Sequence, residues 1–317
     1  MAMARKVMLL GLVALCGLLL AGDPAGAAWP EKAIQIIAPF KAGGDTDFNA
    51  RVFAKHLRKE LGVSLVVVNV DGGGGTLGSR KVKDAAPDGN TVLFYHTAML
   101  VNTASGMVDY TYRDFEMVGM AGIEPGSVIC VSKKAKWNSF KELMEDSRAN
   151  PNKLTLTGNM GATTYLTALL MNRVGGKFNV VDQGGASQRV TALLGGHVDV
   201  IANPYGTVKA YIESGEFKPL AVLNEQRNPK FPAIPTAREQ GYDVAFQYRY
   251  FFLFPKGTPR EIVDKFSAAV EKVVKGNKEY AAEIDKAYSQ MPFFAKRDEA
   301  LGFLKSQEEL IATVKMK

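Results

Sequence analysis

Ile34-Gln35-Ile36-Ile37-Ala38 runs directly into Pro39-Phe40-Lys41-Ala42-Gly43-Gly44-Asp45-Thr46-Asp47, and the reading of this stretch decides the fold. The β-branched run is a strand closed by Pro39 and the glycines make a tight loop. A helix over Thr46 to Lys59 follows, with Phe48, Val52, His56 and Lys59 along one stripe beside Ala50, Phe53, Ala54 and Leu57. The same order returns at once. Leu65 to Val70 is a strand, Asp71-Gly72-Gly73-Gly74-Gly75 a glycine loop, and a short helix runs to Lys83 before the turn Pro87-Asp88-Gly89-Asn90 and the strand Thr91 to Tyr95. Strands alternating with helices indicate parallel sheets with crossover helices, so this is one β-α-β-α-β lobe of an α/β protein.

A second series begins near Val128-Ile129-Cys130-Val131. It continues through a helix from Ser139 to Ala149, a strand Leu154 to Thr157, a helix Ala162 to Val174, Val180-Val181, a helix Ser187 to Leu194, and strands Val198 to Ala202 and Leu220 to Leu223. Asn224 to Gln240, rich in Pro and charge, reads as a surface loop. Tyr248 to Phe254 reads as an aromatic strand returning to the first lobe, with Phe252 and Phe254 in its core, and helices Pro259 to Val274 and Asp298 to Val314 end the chain. The expected organisation is residues 1–28 as a leader, 29–127 as the first part of lobe 1, 128–247 as lobe 2, and 248–317 as the return to lobe 1 with the C-terminal helices.

The leader is expected because Arg5 and Lys6 precede the apolar run Val7 to Ala21, and Ala25-Gly26-Ala27-Ala28 offers a peptidase site before Trp29. An exported, periplasmic protein follows. Cys16 leaves with the leader, and the bulky Leu15 before it argues against a lipid anchor. Cys130 alone remains, so no intrachain disulfide forms and stability rests on the core. The 317-residue chain has 39 Lys and Arg against 32 Asp and Glu, 47% hydrophobic residues, 31 Gly and 14 Pro, a globular composition. Its excess charge of +7 is mild and alternates with acids along the helices rather than clustering, which excludes nucleic acid as a partner. No apolar run after the leader approaches the roughly 20 residues of a membrane span.

Chemistry is expected in four loops, each between a strand's carboxyl end and a helix start, where open α/β sheets bind ligands. In lobe 1 these are Pro39 to Asp47 and Asp71 to Gly78; in lobe 2, Thr157-Gly158-Asn159-Met160-Gly161-Ala162-Thr163-Thr164 and Gln183-Gly184-Gly185-Ala186-Ser187-Gln188. Bare backbone N–H groups and helix dipoles there favour a carboxylate or phosphate. Asn159, Thr163, Thr164 and Ser187 would orient a polar ligand without reacting with it. The competing reading is that the glycines only make turns and that Thr46, Asp47 and the hydroxyl residues only cap helices. Arg249, at the expected lobe junction, would grip a carboxylate with its planar fork or else form a hinge ion pair. Tyr95, His96 and Thr97 end the third strand beside the same cleft, and Lys41 would add local positive potential.

Enzymatic motifs are wanting. The phosphate loop G-x-x-x-x-G-K-[ST] is absent, and Gly72 to Gly78 matches the dinucleotide fingerprint too loosely to imply a nucleotide cofactor. His56, His96 and His197 lie on different elements without zinc spacing. Asp45 and Asp47 read better as a helix cap and a loop hydrogen bond than as a metal pair. Cys130 sits in an apolar strand without a neighbouring base. No catalytic residue, metal or cofactor is expected.

Taken together the motifs resemble the extracytoplasmic solute-binding receptors of the tripartite tricarboxylate transporter family. Trp29-Pro30-Glu31-Lys32 with Ile34 to Phe40 is similar to that family's W-P-x-K-P-I-x-x-I-V-P-F opening, and Gly43-Gly44-Asp45-Thr46-Asp47 to its G-G-x-T-D loop. Asn69 with Gly72 to Gly78 resembles N-R-P-G-A-G-G-N-I-G, and Ala86-Pro87-Asp88-Gly89 the A-P-D-G turn. Leu193 to Asp199, Ile234-Pro235-Thr236 and Pro255 to Pro259 resemble L-L-G-G-x-V-D, V-P-T and P-x-G-T-P. The resemblance spans nearly all of the chain after the leader. It implies a two-lobed periplasmic binding protein-like fold of class II, each lobe a mostly parallel sheet flanked by helices, with the ligand cleft between lobes.

By the same resemblance, Phe40, Gly43, Asp45, Asp47, Gly74, Gly75 and Thr76 hold a ligand carboxylate, while Asn159, Thr163, Gly185 and Ala186 vary with the ligand. Thr97 and Arg249 complete the expected set. The sequence departs from the family at Lys41-Ala42, Asp45, Asp71, Thr76 and Tyr165, which leaves the ligand open; Tyr248-Arg249 resembles a W-R pair of members that take tricarboxylates and favours a di- or tricarboxylate. The expectation is therefore a monomeric receptor that captures a small organic acid, closes near Gly126 to Val131 and Asp243 to Phe252, and delivers the acid to a membrane permease. The alternatives are an exported enzyme acting on a carboxylated metabolite and a ligand sensor for a signalling partner.

Overall fold

In the computed structural model, residues 29–314 and 316 are described; the expected leader, Cys16 included, lies outside the described residues. The chain opens with β1 (Ile34–Ala38), α1 (Asp45–Leu61), β2 (Leu65–Asn69), α2 (Thr76–Lys83), β3 (Thr91–His96), α3 (Ala98–Ala104) and β4 (Phe115–Ile123). It then passes to β5 (Ser127–Ser132), α4 (Phe140–Ala149), β6 (Thr155–Gly158), α5 (Thr163–Arg173), β7 (Asn179–Asp182), α6 (Ala186–Leu194), β8 (Val200–Pro204), α7 (Tyr205–Glu213) and β9 (Phe217–Val222). It returns through β10 (Arg249–Pro255), α8 (Arg260–Gly276), α9 (Lys278–Tyr288), β11 (Phe294–Lys296) and α10 (Arg297–Ala312).

Two mixed sheets result. The first has the order β11-β4-β10-β3-β1-β2 and the second β7-β6-β8-β5-β9. In each, a strand that has just crossed from the other side is inserted in reverse: β10 is antiparallel to both β3 and β4, and β5 to both β8 and β9. The remaining strands of the second sheet, and β1 to β4 of the first, point one way, so the mostly parallel expectation holds for direction while the hydrogen-bonded pairs are mixed. Reversal follows from connectivity, since a strand entering from the opposite lobe arrives at the end where the resident strands finish.

Packing follows the sequence pattern. In β1, Ile34, Ile36 and Ile37 are fully buried, while Gln35 alone is exposed. On α1, Ala50, Phe53, Leu57 and Leu61 share the buried stripe, and the Phe53 ring meets Phe94, Phe252 and Tyr280 at centroid distances of 5.6, 5.3 and 5.1 Å. Phe252 and Phe254 are in the core, as expected. Cys130 is buried in β5, and burial pushes its thiol up, away from reactivity.

Several elements had no counterpart in the reading from sequence: β4, α3, α7, α9 and β11. Among the described residues no helix is long and apolar enough to cross a membrane. The passages between sheets run side by side at their ends, because the Glu124 N–H donates to the Tyr248 carbonyl at 3.1 Å and Gln247 Nε2 to the Glu124 carbonyl at 2.6 Å.

Candidate ligand-binding site

Three helices, one from the first lobe and two from the second, begin at one cavity between the sheets. Phe40, Lys41, Gly44, Asp45 and Thr46 reach it from the start of α1, Asn159, Ala162, Thr163 and Thr164 from the start of α5, and Gly185, Ala186 and Arg189 from α6; His96 and Tyr248 complete the lining. The residues preceding these helices, Gly44, Ala162 and Gly185, are extended and provide no side-chain cap. The Tyr165 N–H turns back to the Ala162 carbonyl at 3.1 Å, but among the described residues the N–H groups of Asp45, Thr46, Thr163, Thr164, Ala186 and Ser187 have no partner, and three positive dipole ends converge. The two lobes are close here, since a Cβ placed on Gly44 would lie 3.9 Å from the Ala186 Cβ. Asp182 binds both second-lobe loops together, accepting from the Met160 N–H at 3.1 Å and the Gly184 N–H at 2.8 Å.

The charges in the cavity are few and fixed. Asp45 Oδ2 accepts from the Tyr248 and Tyr250 hydroxyls at 2.8 and 2.6 Å. Burial, reinforced by the Asp45 charge, raises both phenols well above their ordinary range, so they act as neutral donors. Across the cavity Arg189, 4% exposed, donates through Nε to Asn203 Oδ1 at 2.7 Å and through Nη1 to the Gly184 carbonyl at 2.6 Å. Burial pulls its guanidinium down to about 10, against the pull of Asp45, leaving it charged at neutral pH. The His96 ring stacks on Phe40 at 5.2 Å, and its Nδ1 accepts from the Ala98 N–H at 3.2 Å, which places a ring proton on Nε2. Burial lowers its pKa to about 4, so the ring is neutral at ordinary pH.

Of the residues expected from sequence, Phe40, Lys41, Asp45, His96, Asn159, Thr163, Thr164, Gly185 and Ala186 line this cavity. The others are placed elsewhere. Asp47 accepts from the Gly43 N–H at 3.1 Å, from Asn69 Nδ2 at 2.9 Å and from Arg51; burial works to raise its carboxyl, but these bonds outweigh it and hold it below the usual range. Asp45 and Asp47 thus turn to different partners, and among the described residues no group of His, Cys, Asp and Glu is arranged to hold a metal ion. Gly74, Gly75 and Thr76 sit behind the rim: the Gly74 carbonyl accepts from Asn102 Nδ2 at 3.2 Å, and the same Nδ2 reaches the Gly161 carbonyl of the second lobe at 2.7 Å. Thr97 is buried and its hydroxyl accepts from the Arg249 N–H at 3.3 Å.

Arg249 does not reach the cavity. Its guanidinium lies 4.8 Å from the Phe293 ring centroid and 4.0 Å from that of Phe303, beside a separate hollow lined by Gln247, Phe303 and Leu310. Strand alternation is the cause: Tyr248 and Tyr250 turn towards Asp45, so the residue between them points the other way. The arginine that does reach the cavity is Arg189, which no sequence motif singles out, although it stands with Ala186, Val190 and Leu193 on the buried stripe of α6, where an unpaired charge needs a purpose. The enclosed space is narrow, about 30 Å³, room for a water or two. A four-carbon acid enters only if the lobes part.

Comparison with known proteins finds relatives over most of the chain. The sequence profile of the tripartite tricarboxylate transporter family receptors matches residues 49–291. Protein BugT of Bordetella pertussis is 31% identical over 96% of this chain and 94% of its own. Among solved structures, one described as a periplasmic transporter superposes with a TM-score of 0.84 at 26% identity, covering 92% of this chain and all of the other. The periplasmic binding protein BugD gives 0.82 at 28% identity, over 90% and 97%.

Proposed function

The chain belongs to the tripartite tricarboxylate transporter family of receptors, and on that premise we propose that it captures a small carboxylated solute in the periplasm and delivers it to a membrane permease. This is a family of receptors, not of enzymes. The observation that carries the reading is the convergence of three helix starts with the Arg189 guanidinium on one inter-lobe cavity. Such a site suits a carboxylate and contains no activated nucleophile.

In this proposal Phe40, Asp45, Asn159, Thr163, Gly185 and Ala186 contact the solute, joined by His96, Arg189 and Tyr248. Residues 29–127 and 248–317 form one moving body and 128–247 the other, hinged where Glu124 meets Tyr248, and the leader at residues 1–28 is removed on export. Support for a di- or tricarboxylate through Tyr248-Arg249 lapses, because Arg249 lies outside the cavity. A thermal-shift screen of organic acids tests the reading: a bound acid at 100 times its dissociation constant adds about 2.7 kcal/mol of stability and is recovered unchanged. A screen in which no acid raises the melting temperature, or in which one is consumed, defeats it.

A further inference from the structure

Two buried ionic side chains face the cavity from opposite lobes without pairing. Asp45 is 8% exposed; its Oδ2 is saturated by two phenols, and Oδ1 has no hydrogen-bond partner among the described residues. Arg189 spends Nε and Nη1 on Asn203 and Gly184, and its Nη2 has no partner among the described residues. Among the described residues the two charges form no direct ion pair; the acid of this helix's first turn that does pair is Asp47, with Arg51 at 2.9 Å. A buried charge is costly unless it is paired, and here each is held ready by neutral neighbours rather than neutralised by one.

We infer that the solute bears an ammonium group as well as a carboxylate, as an amino acid does, the carboxylate meeting Arg189 and the helix starts and the ammonium meeting Asp45 Oδ1. This inference rests on the receptor reading above and narrows its substrate class. The surroundings support it. Burial keeps the His96 ring neutral at ordinary pH and raises the Tyr248 and Tyr250 phenols, and it also lifts the neighbouring Glu124 carboxyl well above its ordinary range, with the Asp45 charge adding to it. Lys41 is exposed at the rim. Apart from the exposed Lys41, the ionic side chains lining the cavity are Asp45 and Arg189, one negative and one positive, the complement of a zwitterion. A dicarboxylate would set its second carboxylate near Asp45, and a hydroxy acid would satisfy Oδ1 with a donor but leave the buried negative charge uncompensated.

Calorimetric titration of the purified protein with succinate, malate and aspartate, and with butanoate, 2-hydroxybutanoate and 2-aminobutanoate, varies only the group offered to Asp45. The amino member of at least one series is expected to bind tenfold or more tightly than its unsubstituted and hydroxy counterparts. Asp45→Asn should lower that affinity at least tenfold and leave or improve binding of the unsubstituted acid. If the unsubstituted or hydroxy member binds as tightly as the amino member, the inference is overturned while the receptor reading stands, a result that needs no variant. If no acid of either series binds, the receptor reading fails and takes the inference with it. An Asp45→Asn protein that melts normally yet binds the amino acid unchanged also overturns the inference.

Discussion

The Tyr250 hydroxyl donates to Asp45 Oδ2 at 2.6 Å across 205 residues of sequence. One end of this bond is on the strand that has just returned from the second lobe and the other is in the first turn of α1, so the hydrogen bond that orients the cavity carboxylate also secures the crossing. A bond to an ionised acceptor contributes about 1.5–3 kcal/mol. Tyr250→Phe is expected to lower unfolding free energy by about that amount in urea titrations, with weaker solute binding, because Tyr248 alone then orients Asp45. Unchanged stability together with unchanged affinity would show that the phenol contributes nothing there.

Arg249→Ala should behave in the opposite way. Removing its stacking on Phe293 and Phe303 costs about 0.5–2 kcal/mol, but the solute affinity should change less than twofold, since the side chain faces a different hollow. A tenfold loss of binding by the well-folded variant would return Arg249 to the site.

How much of this was legible in sequence depended on the element. Ile34–Ala38 and its glycine loop announced a strand, a turn and an anion-facing helix start, because β-branched residues, Pro39 and paired glycines each have one strong local preference. Phe115–Ile123 did not announce itself: Met117, Gly119, Met120 and Gly122 dilute any alternation, and the strand exists because β10 and β11 pair on either side of it. At the site, backbone donors could be read from glycines, but side-chain destinations could not. Asp45 and Asp47 are two residues apart and look equivalent; only the tertiary fold sends one to the tyrosines and the other to Arg51 and Asn69. Period-two alternation of Tyr248, Arg249 and Tyr250 is the one local signal that separates the arginine from the tyrosines.

Stability should respond to pH in two windows of opposite sign. The His96 pKa falls from 6.5 to about 4 on folding, so the unfolded chain binds the proton first, and stability is full above pH 6.5 and lost progressively as pH falls towards 4. At 1.36 kcal/mol per unit the loss reaches about 3 kcal/mol. Glu124 is raised well above 4.5 by burial, foremost, and by the Asp45 charge, so its contribution is full below 4.5 and declines as pH rises. Melting curves from pH 4 to 8 should show His96→Gln with a flatter acid limb and Glu124→Gln with a flatter limb above pH 4.5. Parallel curves for wild type and both variants would contradict these assignments.

Lobe closure can be blocked at a single backbone position. Gly74 has φ of +63°, and a Cβ there would lie 2.3 Å from the Met160 carbonyl oxygen and 3.1 Å from the Gly161 carbonyl carbon, both on the second lobe. Gly74→Ala therefore meets two costs. Left-handed backbone strain, about 1–2 kcal/mol, is present whether the lobes are apart or together, whereas the clash with second-lobe backbone exists only when they meet. The variant should fold with a modestly reduced melting temperature, bind solute at least tenfold more weakly, and fail to contract on adding solute when its radius of gyration is followed by X-ray scattering. Gly257→Ala separates the two costs, because Gly257 has φ of +84° with nothing within 4 Å of a new Cβ: it carries the strain without the clash and should bind and contract normally. Equal loss of affinity in both variants would assign the effect to strain, and normal contraction of Gly74→Ala would mean that the Gly74 and Met160 backbones need not meet for the solute to be held.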